Sequence, residues 1–281
     1  MEQDLLQIVD MLLLNGTLTD CSGLIHGKMG IAVFFFHYAQ HTGNDLFEDY
    51  ALELIGEIQS QLHVNSPADY ERGIAGIGVG IDNLIKNDFF EADDDFFDDF
   101  DQRMYRAVMY DPWQDFSLYD GLTGYGRYWV MRLRQQTSSV HARESLTRIA
   151  RWIEEKLPDI PEREQADVFC FLHDLREISD CEFCGKLLEK YKEWDLLSTN
   201  ENRYFTRLGN SVVSNIIRLY QRSRYFNEDL QSEIDIALKQ IPDLDMEKTP
   251  VSMGLLTGYA GEGLLRLTVL HQTDLSWMEL L

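Results

Sequence analysis

Two helical patterns alternate along the chain. In one, apolar residues return every three or four positions and leave a polar face, as in DLFEDYALELIGEIQSQL (Asp45 to Leu62), SVHARESLTRIARWIEEKL (Ser139 to Leu157) and NEDLQSEIDIALKQI (Asn227 to Ile241). That spacing predicts amphipathic helices with one buried face. In the other, apolar residues occupy nearly every side, as in MGIAVFFFHYA (Met29 to Ala39), which suits a helix packed between neighbours. No alternating strand pattern interrupts the series, so the expected class is all-α. The stretch FFEADDDFFDDFD (Phe89 to Asp101) spaces Phe89, Phe96, Phe97 and Phe100 as a helix would, and predicts the start of a further amphipathic helix.

Glycines head the apolar helices. HGKMG begins at His26, GIAGIG spans Gly73 to Gly78, GLTGYG spans Gly121 to Gly126, and GYAGEG spans Gly258 to Gly263. The first glycines Gly27, Gly73 and Gly121 lie 46 and 48 residues apart, and Gly258 follows 137 later, a gap of three more periods. Near the second of those periods, GNSVVSNIIRLY (Gly209 to Tyr220) keeps the leading glycine. The remaining slot falls near residues 164–170, where ADVFCFLHDL is apolar but has no glycine.

A period of about 46 residues with two helices is the length of a helical repeat, in which each unit buries its apolar face only by stacking on the next. Six inner and six outer helices would curve into a closed ring, an α/α toroid, as a single domain over residues 1–281. Glycines three apart share one helical face and would let inner helices converge. Neither a P-loop nor a strand-led G-x-G-x-x-G is present, so no nucleotide site is expected.

Composition narrows the partners. With 281 residues, 44% of them hydrophobic, and only six prolines, the chain is expected to fold without Pro-rich linkers and to bury roughly three quarters of its unfolded surface. A formal charge of −23 repels nucleic acid and anionic membrane surfaces. The acidic start and the lack of an apolar window long enough to span a bilayer lead to a cytoplasmic expectation. Four cysteines make no disulfide framework. Cys170, His173, Cys181 and Cys184 form C-x2-H-x7-C-x2-C, but Cys170 and His173 fall in an apolar helical run where cysteine behaves as a small hydrophobe. Neither a metal nor another cofactor is expected.

The segments HGKMGIA, RGIAGIG, YDGLTGYG and LLTGYAGEGLLRL resemble the G-x-x-G repeats of the lanthionine synthetase C-like proteins, the cyclases that form thioether rings in modified peptides. The resemblance implies an α/α toroid, usually of seven helix pairs against the six counted here. It also implies zinc held by two cysteines and a histidine, from W-C-x-G and C-H-G motifs, which would activate a substrate thiol. This chain has Arg207-Leu208-Gly209 in place of C-H-G, and Cys170 without its tryptophan or glycine. The expectation is therefore a protein that binds a peptide in the central cavity without the family's zinc, with modification of that peptide as an open extension.

By the same resemblance, the residue before each first glycine faces the cavity. Those positions hold His26, Arg72, Asp120, Leu208 and Thr257. His26, Arg72 and Asp120 become the candidate catalytic set, since an imidazole near a carboxylate and a guanidinium suits proton transfer. Tyr70, Glu71, Tyr119 and Thr257 are candidate substrate contacts. The same ionisable residues also read as ion pairs satisfying helix ends. Two other functions stay open: a non-catalytic binding partner of a peptide-modifying enzyme, and a carbohydrate-active α/α-barrel enzyme using Asp69, Glu71 or Asp120.

Overall fold

The computed structural model describes residues 1–63, 65–93, 95–111, 113, 115–135, 139–178, 182–193, 212–226, 228–244, 252–256, 258–271 and 275–281. Among these residues there is no strand, and twelve α-helices follow one another: α1 (Glu2–Asn15), α2 (Lys28–Thr42), α3 (Asp45–Gln61), α4 (Ile74–Lys86), α5 (Asp98–Met109), α6 (Leu122–Gln135), α7 (Val140–Lys156), α8 (Glu162–Ile178), α9 (Glu182–Glu193), α10 (Val212–Phe226), α11 (Gln231–Lys239) and α12 (Tyr259–His271). None of these helices is long and apolar enough to cross a membrane.

The two sequence patterns become two kinds of helix. α2 is buried at every residue from Lys28 to Phe36, whereas α3 buries only Ala51, Leu54, Ile55 and Ile58. Phe34 and Phe35 are wholly enclosed and Phe36 nearly so, each ring contributing roughly 1.5–3 kcal/mol of burial. α3 and α7 lie where periodicity put them, and Ser139 caps α7 by accepting the Ala142 N–H. α11 is shorter than its pattern, and the helix expected from Phe89 begins only at Asp98. Acid-rich sequence favours the first turn of a helix over its interior, and α5 accordingly carries Asp98, Asp99 and Asp101 at its start. Phe89 packs outside any helix, stacked at 5.8 Å on Phe36.

The chain divides into two compact units, one of residues 1–66, 80–91 and 208–281, the other of residues 67–79 and 92–207. In the first, α12 packs on α1 and α2, α2 on α3, and α11 on α10 and α12. In the second, α6 packs on α5, α7 and α8, α5 on α7, and α8 on α9.

One backbone device recurs at each described glycine motif. The first helical residue, Lys28, Ile74, Leu122 or Tyr259, donates its N–H to a carbonyl seven positions upstream, Cys21, Pro67, Asp115 or Ser252, at 2.8–2.9 Å. The loop ahead of each helix therefore folds back along its first turn. A Cβ on the first glycine, Gly27, Gly73, Gly121 or Gly258, would run into that same carbonyl, and a Cβ on Gly30, Gly124 or Gly261 would strike the carbonyl three residues further along the loop, Leu24, Leu118 or Leu255. These glycines thus clear space chiefly for their own loop, with Leu255 and Tyr70 of adjoining turns also close to Gly30 and Gly124, and not, as the sequence suggested, for a neighbouring helix. The third glycine does meet a neighbour: Gly78 faces the Tyr128 ring, Gly126 the Phe171 ring and Gly263 the Phe34 ring.

That last contact locates the repeat that has no glycine. Tyr128 and Phe34 each stand seven residues after the first glycine of their own motif, so Phe171 assigns the fourth slot to Glu164, at the start of α8. The loop before α8 is absent as a motif, and side chains take over its bonding. Between neighbouring turns elsewhere, Leu255 donates its N–H to the Ile25 carbonyl at 2.9 Å and Tyr70 to the Tyr119 carbonyl at 3.0 Å. Leu118 holds the corresponding place in the third repeat, and its N–H goes to the Asp167 carboxylate at 2.9 Å. The Phe116 N–H goes similarly to Glu164, which is 2% exposed, at 3.1 Å. The Gly209 slot lies outside the described residues.

Candidate functional site

The turns ahead of α4 and α6 lie side by side in the second unit. Asp69 closes the first of them by accepting the Arg72 N–H at 2.7 Å, and Asp115 shapes the second by accepting both the backbone N–H and the hydroxyl of Ser117, at 2.9 and 2.6 Å. Short polar side chains bonding to their own backbone in this way favour turns over helix. The Tyr119 carbonyl then receives the N–H groups of Tyr70 and Glu71, which locks the two turns together.

This pairing assembles five of the sequence-predicted residues. Tyr70 is completely buried and Glu71 nearly so, Tyr119 and Asp120 are half-buried, and Arg72 is exposed. Arg72 reaches Glu71 at 3.7 Å, an exposed pairing worth little by itself. The Tyr70 ring lies 5.4 Å from the Arg127 guanidinium, and burial raises its hydroxyl pKa.

The Asp69 carboxyl is held above its ordinary value, first by burial and then by the negative charges of Asp120 and Glu71, against the lowering effect of its bond from Arg72. A half-buried carboxyl among other carboxylates keeps its proton longer than a fully solvated one, the direction that suits a general acid. Sequence reasoning named Asp69 only as a carbohydrate-type carboxylate and missed Tyr125, whose hydroxyl is pushed up to about 12, mainly by burial and next by Asp69. The D-x-S spacing of Asp115 and Ser117 was the available signal for the turn that carries this cluster.

Tyr125 sets an alkaline limit. Its folded pKa lies above the unfolded value of 10.0, so its contribution to stability is full below pH 10 and is lost as pH rises toward 12. Tyr125→Phe is expected to flatten the fall in unfolding free energy across that window, by on the order of 2–3 kcal/mol. Urea titrations at successive pH values measure it, and an unchanged slope would reject the assignment.

His26 belongs to the first unit, half-buried in the turn ahead of α2, where the Ile25 carbonyl beside it receives the Leu255 N–H and Gly254 lies against the backbone of Ile25 and His26. Next to it Lys28 is buried and paired with Glu57. His26 and the Arg72–Asp120 group are thus each placed within their own unit. Thr257, Arg207, Leu208 and Cys181 lie outside the described residues.

The family's zinc chemistry finds no matching donor set among the described residues. Cys170 is half-buried on α8 and Cys184 is buried on α9. The one compact group of metal-capable side chains among those residues is His173, Asp174 and Glu177, on a single turn of α8 and without a thiolate. A site of two cysteines and a histidine is not assembled there.

No protein-family model matches this sequence. No curated protein matches it. Among solved structures, nisin cyclase aligns over 97% of this chain and 95% of its own, with a TM-score of 0.54 at 13% identity. The fold class is the α/α toroid. At that identity the likeness carries fold alone.

Proposed function

We propose that this chain is a single-domain lanthionine synthetase C-like protein, residues 1–281, that holds a peptide at the glycine-motif turns and does so without the family's zinc. His26, Arg72 and Asp120 would exchange protons and charge with the bound peptide, while Tyr70, Glu71, Tyr119 and Thr257 would shape the wall around it. The observation that carries the reading is the locked pair of turns in the second unit. It groups Arg72, Asp69, Glu71 and Asp120 and leaves one carboxyl, Asp69, with its pKa held above the ordinary carboxylate value by burial and by its acidic neighbours. Cyclase-like turnover would add a peptide S–H across the C=C of a dehydrated residue, the sulfur bonding the β-carbon as the thiol loses its proton and the α-carbon taking one from an acid such as Asp69. Without it the same surface serves a binding partner of a peptide-modifying enzyme.

A fluorescein-labelled linear peptide containing cysteines and dehydrated serines is the probe. His26→Ala and Arg72→Ala are each expected to weaken its binding about tenfold, a loss of about 1.4 kcal/mol, with little change in melting temperature. A large fall in melting temperature with binding intact would mark His26 as structural and end this assignment. The raised Asp69 carboxyl among other acids also supports a second reading, glycoside hydrolysis. Release of reducing sugar that disappears in Asp69→Asn would favour it over the first.

A further inference from the structure

Between α5 and α7 of the second unit runs an open groove of about 610 Å³. Tyr105 and Met109 line it from α5, and Arg143, Arg148, Arg151 and Trp152 from α7. Glu144 and Glu155 also reach it, and the Tyr105 hydroxyl already occupies Glu144 with a 2.8 Å bond.

Its charge is out of keeping with the chain. There are 48 acids for 25 basic residues, and buried cations elsewhere sit on carboxylates, as Lys28 does on Glu57, Arg132 on Asp101 and Arg266 on Glu262. Arg148 and Arg151 are exposed, and among the described residues neither has a carboxylate within ion-pair distance. Arg148 instead lies over the Trp152 ring at 4.6 Å, and Trp152 is backed by Trp113 at 5.5 Å.

The stacked arrangement fixes a long side chain that would otherwise lose rotamer freedom on binding. Arginine, tryptophan, tyrosine and methionine are also the residue types that enrich protein interfaces and their hot spots. A guanidinium fork matches a carboxylate through two parallel hydrogen bonds, and the indole and thioether offer an apolar neighbour to it.

We propose that the α5–α7 groove is a docking site for an acidic peptide segment in which carboxylates alternate with apolar or aromatic side chains. Arg148 and Arg151 take the carboxylates, and Trp152 with Met109 takes the apolar side chains. A nucleic acid is the wrong polyanion for this surface, because the remaining charge of the chain repels a long phosphate backbone. The site belongs to one pair of helices and is independent of the motif turns.

The test uses the full chain and a fluorescein-labelled peptide of two Glu-Asp-Phe-Asp-Leu repeats, with a control in which every acid is lysine. Fluorescence anisotropy is expected to show binding of the acidic peptide that weakens at least about tenfold when salt rises from about 50 to 300 mM, since exposed pairs are screened. The Arg148→Glu/Arg151→Glu variant should lose at least about tenfold in affinity, and as an exposed double change it should keep the wild-type melting temperature within about 2–4 °C. His26→Ala should leave this binding unchanged, which separates failure here from failure at the motif turns. No wild-type binding up to about 1 mM peptide, equal binding of the lysine control, equal binding by the double variant, or tighter binding of a single-stranded RNA of similar length would each overturn the proposal.

Discussion

Arg266→Leu is expected to cost about 3 kcal/mol of unfolding free energy, toward the low end of what removing one member of a buried ion pair does. Arg266 is 1% exposed on α12. Its guanidinium pairs with Glu262, donates to the Pro242 carbonyl at 2.9 Å and lies 3.8 Å from Asp4 of α1. Leucine would leave two carboxylates and a carbonyl without their shared donor, although Glu262 retains some water contact. Urea denaturation measures the loss. Replacing Asp4 and Glu262 by leucine in the same chain should recover much of it, because an apolar cluster of similar volume needs no counter-charge. A loss below about 1 kcal/mol in the single variant would mean that water replaces the guanidinium at little cost.

Two glycine-to-alanine changes should move stability in opposite directions. At Gly124 a Cβ would strike the Leu118 carbonyl and come within 2.8 Å of the Tyr70 Cβ, both held in place by the locked turns. Gly124→Ala is expected to destabilise by about 3 kcal/mol, since the obstruction is backbone and cannot rotate away. Gly56 lies within α3, and a methyl group added there would meet nothing within 4 Å. Gly56→Ala should stabilise by about 0.5–1 kcal/mol through helix propensity. Calorimetry on the pair checks both signs, and a neutral Gly124→Ala would show that the loop does not fold back as described.

Local chemistry was legible and partnership was not. The starts of α2, α4, α6 and α12 follow from glycines at a regular interval, and α3 and α7 follow from period-3.6 apolar spacing, because each signal lies within one segment. The Phe89–Asp101 stretch misled for the same reason. Its phenylalanines do share a helical spacing, but Phe89 stacks on Phe36 while Phe97 lies under Arg132 at 4.6 Å, so separate partners override a common local period. The raised carboxyl of Asp69 depends on Asp120, in the next repeat, and the cationic groove depends on α5 lying against α7. Neither pairing is written in either segment alone.

The fourth repeat changes how the chain tolerates mutation. At Ile25 and Tyr119 the acceptor that ties one turn to the next is a main-chain oxygen, which twenty different side chains would supply equally well. Drift at those two codons leaves the bond intact, and sequence similarity can decay there without structural penalty. At Asp167 the acceptor is a side chain, so the genetic code offers only a few replacements that keep it. Among the described junctions, the one at the repeat without the glycine signature thereby tolerates the fewest amino acids.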